Sequence, residues 1–348
     1  MFQPILLTFN SKNMKNYDCI IGIDVSKLKL DVVFLLKPEE KHHKHFIVKN
    51  EEKGIKEIVS HLKKGGISPD KTLFCFEDTG VYSSPLSYYL SKKHFDYWMI
   101  PALEIKRSKG ISRGKSDKTD ALDIAFYAHT HLHKIRPGKV AEKDIAELKL
   151  LLSERDKLIK AIRLFECNKE NEDFLPSEIT KNMLKINNEI VKNLKKSLQK
   201  IDEKMLEIIS ANQTLTEQKN LLTSITGIGI QTAICLMVVT KGFSSFDNWR
   251  QLACYAGVAP FEYSSGSSIR GKTKVSHLAD KKLKSLLNMC AMTAVKLDAE
   301  LRLYYEKKVS EGKSKMLVLN NVRGKLLARA FAVINRGKPY VNTRKYAS

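Results

Sequence analysis

No apolar run in these 348 residues approaches the ~20 that a membrane-spanning helix needs. A helical membrane protein is thereby excluded. The N-terminal stretch Met1 to Asn13 holds one apolar patch, Pro4-Ile-Leu-Leu-Thr-Phe9, too short for a secretory signal, and Met14 is a second candidate start. Cysteine is sparse: the six residues at 19, 75, 167, 235, 254 and 290 are scattered, mostly inside apolar runs, and form no Cys-x-x-Cys pair. They read as reduced core residues of a cytosolic protein. Acid is in deficit as well, with 38 Asp and Glu against 60 Lys and Arg, a formal charge of +22 and a pI near 9.6. A basic excess of this size favours polyanionic partners. At 43% hydrophobic content the chain can bury a sizeable core and is long enough for two or three domains.

The few acids that are present fall in telling places. In Cys19-Ile-Ile-Gly-Ile-Asp-Val-Ser26 an apolar run ends in an acid and a polar turn, the pattern of a buried strand delivering Asp24 at its exit. Lys29 to Leu36 and His45 to Val48 read as further strands. Thr72 to Phe76 is another apolar run, ending on Glu77, with Gly80 opening the next segment. From Ser116 to His129, Ala, Leu, Ile and Phe recur at helical spacing without Gly or Pro, which predicts a helix with Asp117 and Asp120 near its start. Residues three apart share a helix face. Two strand-borne acids and a helical pair suit a pair of divalent ions about 4 Å apart, of the kind that activate a nucleophile and stabilise the leaving oxygen of a phosphodiester. Such hard oxygen ligands imply Mg²⁺ or Mn²⁺. The set matches the metal-ligand positions of an RNase H-like α/β nuclease domain. Acids at strand ends and helix starts also serve solubility and the helix dipole, and spacing alone chooses neither Asp117 with Asp120 over Asp120 with Asp123 nor Glu77 over Asp78.

Three blocks organise the chain. Residues 15–135 carry the strand-and-helix texture. From Ala141 the pattern becomes long helices rich in Lys, Glu, Leu and Ile, with apolar positions at Ile145, Leu148, Leu152, Leu158, Ile162 and Phe165. After a polar stretch around Asn168 to Pro176, a second helix places Ile179, Met183, Ile186, Ile190, Leu194, Ile201, Met205 and Ile208 three or four apart, as in a coiled-coil seam. Residues 141–215 thus read as a helical hairpin or coiled coil, either an ordinary intrachain pair or a dimerisation arm. Residues 218–342 read as a mainly helical C-terminal domain with a polar loop from Phe261 to Lys274.

Several segments are suited to phosphate. Lys106, Arg107, Lys109, Arg113 and Lys115 lead directly into the Asp117 helix, and positive charge beside a carboxylate cluster holds a phosphodiester substrate. Arg270, Lys272 and Lys274 form a similar group. Ile225-Thr-Gly-Ile-Gly-Ile-Gln-Thr-Ala233 is similar to the hairpin of helix-hairpin-helix modules, in which glycines such as Gly227 and Gly229 admit a DNA phosphate to backbone amides. The plainer alternative is a helix-start turn capped by Thr226. Gly266-Ser-Ser-Ile-Arg-Gly-Lys-Thr273 fits the P-loop expression, but a P-loop follows a buried strand and opens a helix. The flanks here, Phe261-Glu-Tyr-Ser-Ser265 and Lys274-Val-Ser-His277, do neither.

The motifs Gly22-Ile-Asp-Val-Ser-Lys27, Glu77-Asp-Thr-Gly-Val-Tyr82 and Lys115-Ser-Asp-Lys-Thr-Asp-Ala121 resemble those of the DEDD transposases, insertion-sequence recombinases with a RuvC-like domain, related to the Piv invertase. The resemblance resumes at Ile225-Thr-Gly-Ile-Gly229, Tyr255-Ala-Gly-Val-Ala-Pro260 and Ser264-Ser-Gly-Ser-Ser-Ile-Arg-Gly271, so it spans nearly the whole chain. It implies a RuvC-like fold with Asp24, Glu77, Asp117 and Asp120 as metal ligands. It further implies a serine nucleophile that joins covalently to DNA, which maps to Ser265 with Ser264, Ser267 and Ser268 close by. A serine hydroxyl needs activation, and no histidine near in sequence is an evident base, His277 suiting a cap or surface role better. A composite site between domains or protomers, a homo-oligomer (dimer or tetramer) acting on DNA, and a structured guide RNA encoded by the element are also implied. The rival reading is a Holliday-junction or structure-specific nuclease that uses the same acids with water.

Overall fold

The computed structural model describes residues 15–36, 43–108, 116–135, 137–138, 142–166, 174–265, 269–275 and 279–342, with the backbone alone at 262–265 and 269–274. Two compact units divide the chain, Met1–Val140 and Ala141–Ser348.

The first unit is built on a mixed sheet of five strands in the order β3-β2-β1-β4-β5. Its strands are β1 (Cys19–Val25), β2 (Lys29–Leu35), β3 (Lys44–Lys49), β4 (Thr72–Glu77) and β5 (Tyr97–Ile100). A tight turn, in which Ser26 N and Oγ both donate to the Lys29 carbonyl, folds β2 back antiparallel on β1. Strand β3 continues antiparallel, whereas β4 and β5 run parallel to β1. Parallel neighbours need crossovers, and these are supplied by α1 (Glu52–Lys64) and α2 (Ser84–Lys92). Both predicted strand exits thus lie side by side: Ile23 is opposite Phe76, and Asp24 and Glu77 are the next residues.

Side chains alternate across a strand, and the two faces of this sheet are buried differently. Ile21, Ile23, Leu30, Val32, Phe34, Phe74 and Phe76 pack with Ile55, Ile58 and Leu62 of α1 and Leu86 and Leu90 of α2. Ile20, Leu35, Leu73, Cys75 and Trp98 pack on the other face with Ile105 of α3 (Ala102–Ser108) and Ile124, Ala125 and Ala128 of α4 (Asp117–Thr130). A helix–sheet–helix sandwich of this order is consistent with the expected RNase H-like α/β domain. At about 25 cal/mol per Å² of apolar surface, such two-sided burial is the main force holding the sheet between its helices.

The second unit is mainly helical. Helices α5 (Lys143–Glu166) and α6 (Ser177–Ala211) run antiparallel, tied by Arg155 to Asp202 at 2.7 Å and Lys195 to Glu166 at 2.7 Å. The predicted seam is not uniformly buried. Met205 and Ile208 enter the core of the unit beside Ile145, Leu148 and Leu152, but Ile179 and Ile186 are exposed. The two helices pack on each other within the chain, and the predicted seam is buried there only in part. The remaining core is formed by α7 (Gln213–Thr223), α8 (Ile230–Val239), α9 (Trp249–Tyr255), α10 (Lys281–Leu297), α11 (Ala299–Ser310) and α12 (Lys315–Arg336). Within the segment expected as a polar loop, β6 (Pro260–Ser265) and β7 (Ile269–Val275) pair instead as an antiparallel ribbon. The pairing, from Pro260 with Val275 to Ser265 with Ile269, is one that polar composition had disguised. No helix among the described residues is long and apolar enough to cross a membrane.

Candidate active site

Alternation assigns the acids to one face. Gly22, Asp24, Asp31, Cys75 and Glu77 share the parity of the residues that pack against α4, so the three acids face that helix. Gly22 explains how α4 comes so close. A Cβ there would lie 2.0 Å from the Ala121 carbonyl oxygen and 2.9 Å from the Ala125 Cβ, distances that only glycine allows. Helix α4 begins where it does because Ser116 Oγ accepts from Thr119 N at 3.2 Å while Thr119 Oγ1 accepts from Ser116 N at 3.0 Å, a reciprocal cap. Asp117 and Asp120 follow in the first turn, where the helix dipole favours negative charge.

The result is a dense acidic cluster. Burial first, then the charges of Asp117, Asp120, Glu77 and Asp31, push the Asp24 carboxyl up from 3.8 to about 6. The structure thus brings together the four sequence-predicted acids and adds a fifth. Asp31 sits directly across the ladder from Asp24, is 2% exposed, and is approached by His45 Nε2 at 3.0 Å. Like charges directly opposite in a sheet are unfavourable. Lys29 offsets them, its Nζ donating to Asp117 Oδ2 at 2.7 Å and lying 3.0 Å from Asp31 Oδ2. That pairing, with Asp117 foremost, raises the lysine above its ordinary value. One signal of Asp31 was present in the sequence: in a hairpin turning at residues 26–29, position 31 faces position 24.

Oxygens of Asp24, Asp31 and Asp117 lie within 4.8 Å of one another. Asp31 Oδ2 is buried and, apart from its ion pair with Lys29, has no hydrogen-bond partner. Such a hard, anionic donor set fits a divalent cation. Asp78, the competitor of Glu77, caps its own turn by accepting from Gly80 N at 3.0 Å, and Asp123 lies one turn further along α4.

The basic residues divide. Lys106 and Arg107 are exposed in the last turn of α3, whereas Lys109, Arg113 and Lys115 lie outside the described residues. In the second unit, Ser265 ends β6 opposite Ile269, and Ser264 pairs with Arg270. Arg270, Lys272 and Lys274 all belong to β7, while Ser267, Ser268 and His277 lie outside the described residues. The Lys272-Thr273 end of the P-loop-like motif is strand, not the helix start that a P-loop requires. The two glycines of the 225–233 segment differ. Gly227, at φ +98°, packs so tightly on α10 that a Cβ would meet the Cys290 carbonyl oxygen at 2.7 Å, whereas Gly229 has open space beside it and, in place of Thr226, is the N-cap of α8.

Comparison with known proteins gives the class. Residues 21–168 match the DEDD transposase family model of the IS110 type, and residues 219–306 match that of the transposase IS116/IS110/IS902 family. The pilin gene-inverting proteins of Moraxella lacunata and Moraxella bovis are each 26% identical over 326 residues, 92% of this chain and 97% of theirs. An uncharacterised 43.6 kDa protein of insertion element IS110 from Streptomyces coelicolor is 30% identical over 154 residues, 43% of this chain and 38% of its own. With the acid-lined sheet, these matches define an enzyme of the DNA transposase and site-specific recombinase class. Within that class the chain belongs to the IS110/IS116/IS902 transposase family, with the DEDD domain first and the second family domain after it.

Proposed function

We propose that this transposase cuts and rejoins DNA at the ends of an insertion sequence through a covalent serine–DNA intermediate, with a RuvC-like acidic site and a serine ribbon acting together. The convergence of Asp24, Glu77, Asp117 and Asp120 on one face of the sheet, with Asp24 held up to about 6, is the observation that carries this reading. These carboxylates, with Asp31 beside them, would hold Mg²⁺ or Mn²⁺. When bound, the metal supplies Lewis-acid stabilisation of the charge that develops on phosphodiester oxygens.

The chain's own part is nucleophile, charge and position. Ser265 Oγ forms a new bond to phosphorus while one P–O bond of the DNA backbone breaks. The serine proton passes to solvent, and the departing oxygen takes a proton from solvent and leaves as a free hydroxyl. Reversal with the hydroxyl of another strand rejoins the DNA and restores the serine. Lys106, Arg107, Lys109, Arg113 and Lys115 beside the acids, Arg270, Lys272 and Lys274 on the ribbon, and the Gly227–Gly229 hairpin would hold the strands. The net charge of +22 supports a polyanionic partner of this size. A structured RNA encoded by the element would direct the choice of target. We read residues 15–135 as the catalytic domain, 141–215 as an arm and 218–342 as the transposase domain. The apolar Ile179, Ile186, Leu164 and Phe174 left exposed on the arm support a homo-oligomer, dimer or tetramer.

A denaturing gel tests the reading: wild type and Ser265→Ala are incubated with Mg²⁺, junction DNA of the element and RNA transcribed from its flanking noncoding region. A protein–DNA adduct that requires both the RNA and Ser265 is the expected result. Cleaved DNA without adduct would mean a nuclease that uses water, and an adduct persisting in Ser265→Ala would move the nucleophile to Ser264, Ser267 or Ser268.

A further inference from the structure

Under α10 in the second unit lies a charge without a counter-charge. Arg323, on α12, is 4% exposed and makes no ion pair among the described residues. Its Nη1 donates to Asn320 Oδ1 at 3.3 Å and its Nη2 to Asn288 Oδ1, both neutral amides, while its buried Nε has no partner among the described residues. Burial draws its pKa below the usual guanidinium range, yet a guanidinium in a protein stays charged. Burying a cation against neutral dipoles alone is unfavourable. Arg329, two turns further along the same helix, shows the ordinary arrangement, pairing with Asp298 at 2.8 Å and Glu300 at 2.9 Å.

What Arg323 does to Asn288 is specific. By taking the amide oxygen inward, it leaves Asn288 Nδ2 facing only Met292 Sδ at 3.7 Å, a weak acceptor. A donor polarised by a neighbouring charge is strengthened. Around it, Lys281, Lys284, Ser285 and Asn288 recur at three- and four-residue spacing on one face of α10, Lys281 and Ser285 exposed, Lys284 and Asn288 half-buried. The same network is tied to the serine ribbon, because Asn320 Nδ2 donates at 2.7 Å to the carbonyl of Val258, two residues before β6.

We propose that this face of α10 binds a backbone phosphate of duplex DNA, with Asn288 as the hydrogen-bond donor, Arg323 as the buried counter-charge, and Lys281 and Lys284 flanking. The proposal rests on the DNA-handling reading above and names a binding surface for it. Charge complementarity selects the occupant, since the face offers two ammonium groups and a polarised amide donor around a cation that lacks an anion. The connection through Asn320 and Val258 couples an occupied phosphate site to the base of the ribbon that ends in Ser265.

Anisotropy of a short fluorescein-labelled DNA duplex, titrated with wild type, Arg323→Met and Asn288→Ala at several salt concentrations in EDTA, tests this directly. Both variants should weaken binding roughly tenfold, as loss of a charge-assisted hydrogen bond does, and in Arg323→Met, which removes a cation, the slope of log affinity against log salt should flatten by about 1. Thermal unfolding of Arg323→Met should occur at or above the wild-type temperature, because the variant no longer buries a lone charge. An arginine that only holds the fold would lower the melting temperature and leave the affinity of the folded protein and the salt slope unchanged, which would overturn the proposal. Full affinity in Asn288→Ala would overturn it as well, as would an effect confined to a labelled single-stranded RNA of equal length. Failure of the wild type to bind the duplex would reach further and remove the DNA-handling reading itself.

Discussion

Replacing Asp24 by Asn should stabilise the metal-free protein at neutral pH, although it destroys the site. In the folded chain, burial and four neighbouring acids hold the Asp24 carboxyl up to about 6, against 3.8 ordinarily. The folded state therefore binds this proton more tightly than the unfolded state, so stability contributed by the protonated carboxyl is complete below pH 3.8 and is lost as pH rises through 6. A rise of two units corresponds to about 3 kcal/mol at 1.36 kcal/mol per unit. Asp24 is only half-buried, and solvent screening reduces the expected penalty to roughly 1 kcal/mol. Asn keeps the shape and removes the repulsion. In EDTA at pH 7.5, differential scanning calorimetry should show Asp24→Asn melting about 3 °C above wild type, with the gap closing towards pH 4. Mn²⁺ should reverse the order, because a site-specific ion at a hundred times its Kd adds about 2.7 kcal/mol to the wild type and little to the variant. A variant less stable than wild type in EDTA at pH 7.5, or equal stabilisation of both by Mn²⁺, would refute the reasoning.

Gly22→Ala forces a Cβ to within 2.0 Å of the Ala121 carbonyl oxygen. Overpacking of this kind costs about 1–3 kcal/mol, and because the obstacle is helix backbone, α4 must shift with its two acids; DNA cleavage should fall further than chemical denaturation alone predicts. Asp31→Ala removes the acid across from Asp24 and the partner of Lys29 and His45, and isothermal titration should show Mn²⁺ affinity reduced by about tenfold or more. Unchanged affinity would exclude Asp31 from the metal centre. Gly227→Ala should destabilise the second unit by more than 1 kcal/mol, since it combines a left-handed φ of +98° with a 2.7 Å approach to Cys290. Gly229→Ala, with open space beside it, should melt close to wild type, so that weaker DNA binding in this variant would report on the hairpin and not on folding.

Much of the first unit was legible because its signals are local. The runs before Asp24 and Glu77 are strands that carry these half-buried acids at or next to their last residue, and the Ser116–Thr119 pattern starts a helix at the predicted place. Local signals failed where polarity and pairing part company. The ribbon of β6 and β7 reads as a loop because serine, glycine and lysine interrupt any apolar alternation, and only cross-strand hydrogen bonding makes these segments strands. The helical seam reads alike for a coiled coil and for a helix that enters its own core: Met205 and Ile208 are buried and Ile179 and Ile186 are not, yet all four share one period.

The sequence by itself determined the strong positive charge, the buried strands that end in carboxylates, the acids in the first turn of α4 and the long amphipathic helices, since each of these follows from composition or from a period of two or 3.6 residues. Only the tertiary structure decided that Gly22 admits α4 close enough to bring Asp117 and Asp120 to the strand ends, and that Arg323 is buried between two asparagines from different helices. Periodicity fixes which way a side chain points along its own element. Which elements meet is set by packing between segments far apart in the chain, and that is where a set of scattered acids becomes one site.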